Sequence, residues 1–150
     1  MSHYDIAIKT VPATLVAARR VTIPTTGYFP KYLEPAFTEA YDHVRKQGAQ
    51  DNGPCIAMWY SPGYVNEDAE ALVPIDRPVS GTDRVKVYNL SQTQVASLIH
   101  FGDLEEFKKD QADLLEWIDA NGYKIVGPYR EIYMKQDRTI TEIQFPVERI

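Results

Sequence analysis

The chain has 150 residues, with 16 Lys and Arg against 21 Asp and Glu, for a formal net charge of −5. That length suits one domain with a core of its own. The acidic balance argues against nucleic acid and against an anionic membrane surface as partners, because both call for a basic face. The single cysteine, Cys55, rules out an internal disulfide framework and fits a cytoplasmic location. The opening MSHYDIAIKT lacks a signal-peptide core, and no stretch approaches the roughly 20 apolar residues that span a bilayer.

In chain order, Ala13–Ile23 is β-branched and partly alternating and predicts a strand. A loop rich in Pro and Gly, Pro24–Lys31, follows and carries the aromatic pair Tyr28–Phe29. In Glu34–Gly48 the apolar Phe37, Ala40, Tyr41 and Val44 recur at i, i+3, i+4 and i+7, one face of a helix. Pro35 suits its first turn and Gly48 its left-handed stop. Cys55–Tyr60, Ala69–Ile75, Val85–Leu90 and Gln94–His100 predict strands, with Ser61–Asp68 as a loop. A second helix is predicted over Asp103–Asn121, where Phe107, Leu114, Leu115 and Ile118 share a face. Asp103 and Glu106 form its capping box, and Gly122 ends it. Strands at Tyr129–Met134 and Thr139–Val147 complete the chain.

The chain repeats itself. Gly48 is followed by Pro54 at the same interval as Gly122 by Pro128. The same shift sets Ala40, Tyr41 and Val44 on Leu114, Leu115 and Ile118, and Trp59 on Tyr133. Further on, the EALVP run with Glu70 parallels the EIQFP run with Glu142. The expected fold is therefore α+β: two β-α-β-β halves, residues 1–80 and 81–150, related by pseudo-twofold symmetry within one domain. Such a domain would carry an antiparallel sheet, two helices and a central ligand groove.

No metal or cofactor is expected. His3, His43 and His100 are scattered, no His or Cys pair has metal-ligand spacing, and no phosphate loop or dinucleotide fingerprint is present. His43 falls on the polar side of the first helix, His100 suits core satisfaction or capping, and Cys55 suits a buried, inert thiol. Trp117 suits packing. What remains is a carboxylate among rings. Strand alternation puts Tyr129, Glu131 and Tyr133 on one face, and the repeat puts Cys55, Ala57 and Trp59 on the corresponding one. Rings around a carboxylate suit a flat apolar or cationic ligand, and desolvation would raise the carboxyl pKa toward that of a general base. The competing reading puts Glu131 on a solvated face, paired with Arg130 or Lys135.

The run HFGDLEEFKKDQADLLEWIDANGYKIVGPYREIYM resembles the signature region of GyrI-like small-molecule-binding domains, through Gly102, Trp117, Gly122, Tyr123, Gly127, Pro128, Glu131 and Tyr133. The opening Val11, Ala13, Leu15, Val16 and Ala17 and the closing Thr141, Glu142, Ile143, Pro146 and Val147 also fit. The resemblance covers nearly the whole chain. It implies the effector-binding domain of AraC- and MerR-type multidrug regulators, without their DNA-binding module, as a standalone member or an excised domain. It further implies that Glu131 sits in an aromatic pocket and meets cationic or amphipathic ligands. The ligand-binding set expected with it is Tyr133, Tyr129, Trp59, Tyr28 and Phe101, the last at the mouth of the second helix. The leading expectation is a binder of flat, hydrophobic, cationic molecules. One alternative is a hydrolase of strained cyclopropane-containing aromatics, in which Glu131 activates water and Tyr133 is the acid. Another is a protein-interaction inhibitor like the family's gyrase-inhibiting member. A homodimer is compatible with any of these.

Overall fold

The structure is a computed structural model that describes residues 6–24, 29–60, 66–135 and 139–150. Among them run, in chain order, β1 (Ala7–Val11), β2 (Thr14–Pro24), α1 (Phe29–Lys46), β3 (Ile56–Trp59), β4 (Asn66–Pro74), β5 (Val85–Leu90), β6 (Thr93–Phe101), α2 (Leu104–Ala120), β7 (Tyr123–Ile125), β8 (Tyr129–Tyr133) and β9 (Ile140–Arg149). This is the expected α+β class. The short strands β1 and β7 were not among the predicted elements. β1 is laced with polar residues and mostly exposed, and β7 has three residues, so neither shows a readable period.

Helix α1 buries Leu33, Ala36, Phe37, Ala40 and Val44, the expected stripe. It starts five residues before Glu34, so Phe29 opens a helix instead of lying in a loop, and Pro35 falls inside it. Pro30 already holds the second position, where a missing N–H costs nothing, and Pro35 is on the exposed side. Gly48, at φ 81°, supplies the left-handed stop. His43 is less solvated than expected, because its Nε2 bonds the Ser80 carbonyl at 2.5 Å. Helix α2 keeps its predicted cap: the Glu106 N–H donates to Asp103 Oδ1 at 3.0 Å. Leu114 and Ile118 are buried, but Leu115 is 40% exposed. Asp110 takes the buried flank in its place. Its carboxylate meets His100 Nδ1 at 2.9 Å, while His100 Nε2 meets the Gly102 carbonyl at 3.2 Å and the ring stands edge-on to Phe107. That buried pair fastens the start of α2 to the end of β6.

The chain divides into two compact units, Ala13–Ser91 and Met1–Pro12 with Gln92–Ile150. In the first, the antiparallel order is β5-β2-β4-β3. In the second it is β1-β6-β9-β8, with β7 on the far end of β9. Each unit holds one expected β-α-β-β repeat, β2-α1-β3-β4 or β6-α2-β8-β9. The boundaries differ from 1–80 and 81–150 for a definite reason. The strand that precedes each repeat in the chain pairs in the other unit, β1 on β6 and β5 on β2.

Both helices pack on one face of their own sheet. In the second unit α2 buries Leu114 and Ile118 against Ala96, Leu98, Ile143 and Phe145. In the first, small residues face α1: Ala17, Ala57, Ala69, Ala71 and Val73, all fully buried. The opposite face of that sheet carries its own cluster, Val16, Ala18, Met58, Leu72 and Leu90. The repeat-related Glu70 and Glu142 are both buried, at 6% and 7% exposure, and both lie on the face away from the helix.

Candidate functional site

The sequence Tyr129–Arg130–Glu131–Ile132–Tyr133 forms β8 and sorts by strand alternation. Arg130 and Ile132 turn to one face and are buried, at 6% and 8% exposure. Tyr129, Glu131 and Tyr133 take the other and are half-buried. Glu131 stands directly across from Ile143, so it lies on the face that α2 packs against. Arg130, one of the two partners in the competing reading, turns to the opposite face of the strand.

The carboxylate is gripped from both sides along its own strand. The Tyr129 hydroxyl donates to Glu131 Oε2, and the Tyr133 hydroxyl donates to Oε1 at 2.6 Å. Tyr129 is in turn set by Phe145, whose ring centroid lies 4.8 Å away at a 30° tilt. Phe145 was not among the expected site residues. Only the β8–β9 register, which no local pattern reveals, brings it beside Tyr129. With both phenols donating, each carboxylate oxygen has a hydroxyl partner, and the carboxylate is framed by the two phenol groups.

Phe101 pairs with Ile140 at the end of β6, which puts it on the face opposite Glu131, 54% exposed. Trp59 closes β3 in the other unit, half-buried on the sheet face that carries α1. Tyr28 lies outside the described residues, as does His3. Cys55, also on the α1 side, bonds the Tyr41 hydroxyl at 3.3 Å, and burial pushes its thiol above the usual range. Trp117 stacks on Tyr123 at 6.1 Å beside the α2 core, in the packing role expected. Among the described residues, no group of three or more His, Cys, Asp or Glu could hold a metal ion. No helix among them is long and apolar enough to cross a membrane.

A second glutamate has the same dress. Glu70, on the face of its sheet away from α1, accepts at Oε1 from the Tyr60 hydroxyl at 2.5 Å and the Tyr88 hydroxyl at 2.9 Å. Burial first, and then the Glu70 carboxylate, push both phenols well above their usual range, so they remain donors. This cluster went unseen in the sequence because Tyr60 follows β3 while Glu70 and Tyr88 come from β4 and β5.

No family model matches the sequence, and no curated protein matches it. Solved structures do. EcmrR in its DNA complex, EcmrR-RPo, aligns with a TM-score of 0.84 at 23% identity over 97% of this chain, which spans 58% of the EcmrR chain. The crystal structure of the EcmrR C-terminal domain gives 0.77 at 21% identity, covering 97% of this chain and 98% of that domain. This is the GyrI-like fold. A hydrolase from Listeria innocua shares the GyrI-like architecture at a TM-score of 0.69 and 14% identity, over 95% of this chain and 91% of that one. So does SAV2435, solved bound to tetraphenylphosphonium, at 0.63 and 13% identity over 96% of this chain and 94% of its own.

Proposed function

We propose that this GyrI-like chain is a single effector-binding domain that captures flat, hydrophobic, cationic small molecules at Glu131. The observation that carries the reading is the carboxylate held between the Tyr129 and Tyr133 hydroxyls on β8. Charge without apolar surface would be solvated, and apolar surface without charge would have no preference for cations. Here the two coincide on one strand face, and Phe145 adds further ring area behind Tyr129. That SAV2435, with the same fold, is bound to a lipophilic cation supports the choice of ligand class. Titration with tetraphenylphosphonium, followed by tryptophan fluorescence, tests it in wild type and Glu131→Gln. The variant keeps the shape and removes the charge, so its affinity should fall at least about tenfold, the equivalent of 1.4 kcal/mol. Equal affinity in the two proteins would remove the charge from the account.

A second reading has one observation of its own. Glu131 and the Tyr133 hydroxyl, 2.6 Å apart, are a carboxylate and a proton donor within reach of one another, and a hydrolase shares the fold. In that reading Glu131 takes a proton from an attacking water and Tyr133 supplies one to the leaving carbon of a strained cyclopropane-bearing aromatic. Turnover of such a substrate that survives Glu131→Gln would end it.

A further inference from the structure

His100 is bounded by an acceptor at each ring nitrogen. Nδ1 lies 2.9 Å from the Asp110 carboxylate, and Nε2 lies 3.2 Å from the Gly102 carbonyl. A neutral imidazole carries one N–H, so either tautomer would turn a lone pair onto one of these oxygens. The two side chains are 1% and 5% exposed, and solvent does not relieve such a mismatch. An imidazolium donates at both nitrogens and leaves neither oxygen facing a lone pair.

The charges nearby have the sign that an imidazolium requires. Among the described residues, α2 presents Asp110 itself, and its cap and first turn add Asp103, Glu105 and Glu106, with a Glu106 carboxylate oxygen beside Gly102. These carboxylates offset the positive end of the α2 dipole. The lysines of this half of the helix, Lys108 and Lys109, are exposed. Across the sheet, the row that begins at His100 runs through Thr141 to Tyr133, and Glu131 lies one row further on the same face.

His100 thus ties three pieces of chain together: β6, the two-residue link that holds Gly102, and α2 at Asp110. The two protons are not equivalent. Losing the one on Nδ1 would set a lone pair against a full carboxylate, whereas losing the one on Nε2 sets it against a carbonyl dipole. The second loss is the milder, and it undoes the tie to the link while Asp110 stays bonded. Phe107, edge-on to His100 and packed in the core that includes Tyr129, belongs to the same first turns of α2.

We propose that His100 is held as an imidazolium and works as a proton-operated latch: release of its Nε2 proton to solvent frees the Gly102 link and the first turn of α2 from the sheet face that carries Glu131. His100 is then a positioning residue for that face, whether or not Glu131 meets a cation.

Two readouts on the whole chain test this between about pH 5 and 9, the range in which histidine titrates. Nitrogen NMR of the His100 ring should show both nitrogens protonated at the acid end and Nε2 alone bare after the transition. Hydrogen-exchange protection of the Gly102, Glu106 and Phe107 amides, corrected for the intrinsic pH dependence of exchange, should fall in step by about tenfold or more, the scale of a lost hydrogen bond to a charged group. Amides late in α2, from Leu114 to Ile118, should keep theirs. In Asp110→Asn the side-chain amide can donate to a bare Nδ1, so a neutral ring keeps its Nε2–H on Gly102 and the fall should shrink below about threefold. The wild-type titration decides the matter alone if that variant does not fold. A ring with one bare nitrogen already at the acid end, including one whose proton sits on Asp110 instead, overturns the proposal. So does first-turn protection that is unchanged through the transition, or a second proton kept until the whole chain unfolds.

Discussion

Substituting Glu142 by Gln removes a charge while keeping a side chain of the same shape. Its Oε2 takes three donors: Lys9 Nζ at 2.5 Å, Ser97 Oγ at 2.8 Å and Gln144 Nε2 at 2.9 Å. Lys9 is nearly half exposed and would return to water, so losing that pair costs about 0.5–1 kcal/mol. The Ser97 and Gln144 bonds are buried and lose their charge assistance, roughly 0.5–1 kcal/mol each. The expected loss is therefore about 2 kcal/mol, read as a lower urea midpoint at unchanged slope. Because Lys9 lies on β1, the amides of that strand should lose protection against hydrogen exchange before the rest of the unit. The pH dependence has a definite sign. Burial pushes the Glu142 carboxyl up, but the Lys9, Gln144 and Ser97 donors outweigh it and leave the carboxyl below its ordinary range. Its stabilisation is thus present above the ordinary carboxyl range and lost as pH falls through the lowered value. The gap between wild type and Glu142→Gln should close as the solution is acidified. A loss below about 0.5 kcal/mol, on the scale of an ordinary surface substitution, or a gap that persists unchanged into acid, would refute the reasoning.

Two further outcomes are expected. Glu39 is held at about 2, first by its bond from Arg84 and also by Arg19 against a desolvation cost, so its contribution is present above about pH 4.3 and lost as pH falls toward about 2. The side chain is a third exposed, so screening limits that contribution to at most about 1 kcal/mol. Acid melts in 0.5 M salt should erase most of the difference between wild type and Glu39→Gln, and a difference insensitive to salt would contradict the assignment. The Cys55 thiol, raised by burial, should resist alkylation at pH 8 in the folded protein and react readily in urea. Comparable rates in the two conditions would show that the thiol is not held as described.

The elements most visible in the sequence are those whose stabilisation is local. Helix α2 announced itself through Asp103 and Gly122, a cap and a stop that act within one turn. The start of α1 was misread because Pro35 looks like a first-turn residue wherever it stands, and nothing nearby says that Pro30 has already filled that role. Leu115 was counted into a buried stripe because it is apolar. Its place went to Asp110, which is buried only because His100 reaches it from another element. At the site, alternation alone put Tyr129, Glu131 and Tyr133 together, since all three share one strand. Phe101 was attached through proximity to Gly102 and the helix mouth, and a strand period of two sends it to the other face. The Glu70 cluster illustrates the general limit. Tyr60 just past β3, Glu70 on β4 and Tyr88 on β5 converge only after registers are fixed, and registers are set by long-range pairing.

The trading of outer strands makes each half depend on the other to complete its sheet. A single repeat made alone would carry a leading strand without its partner and an outermost position with nothing to fill it. The chain keeps the exchange in place with two-residue bridges, Pro12–Ala13 and Ser91–Gln92, which leave neither half the slack to take its strand back.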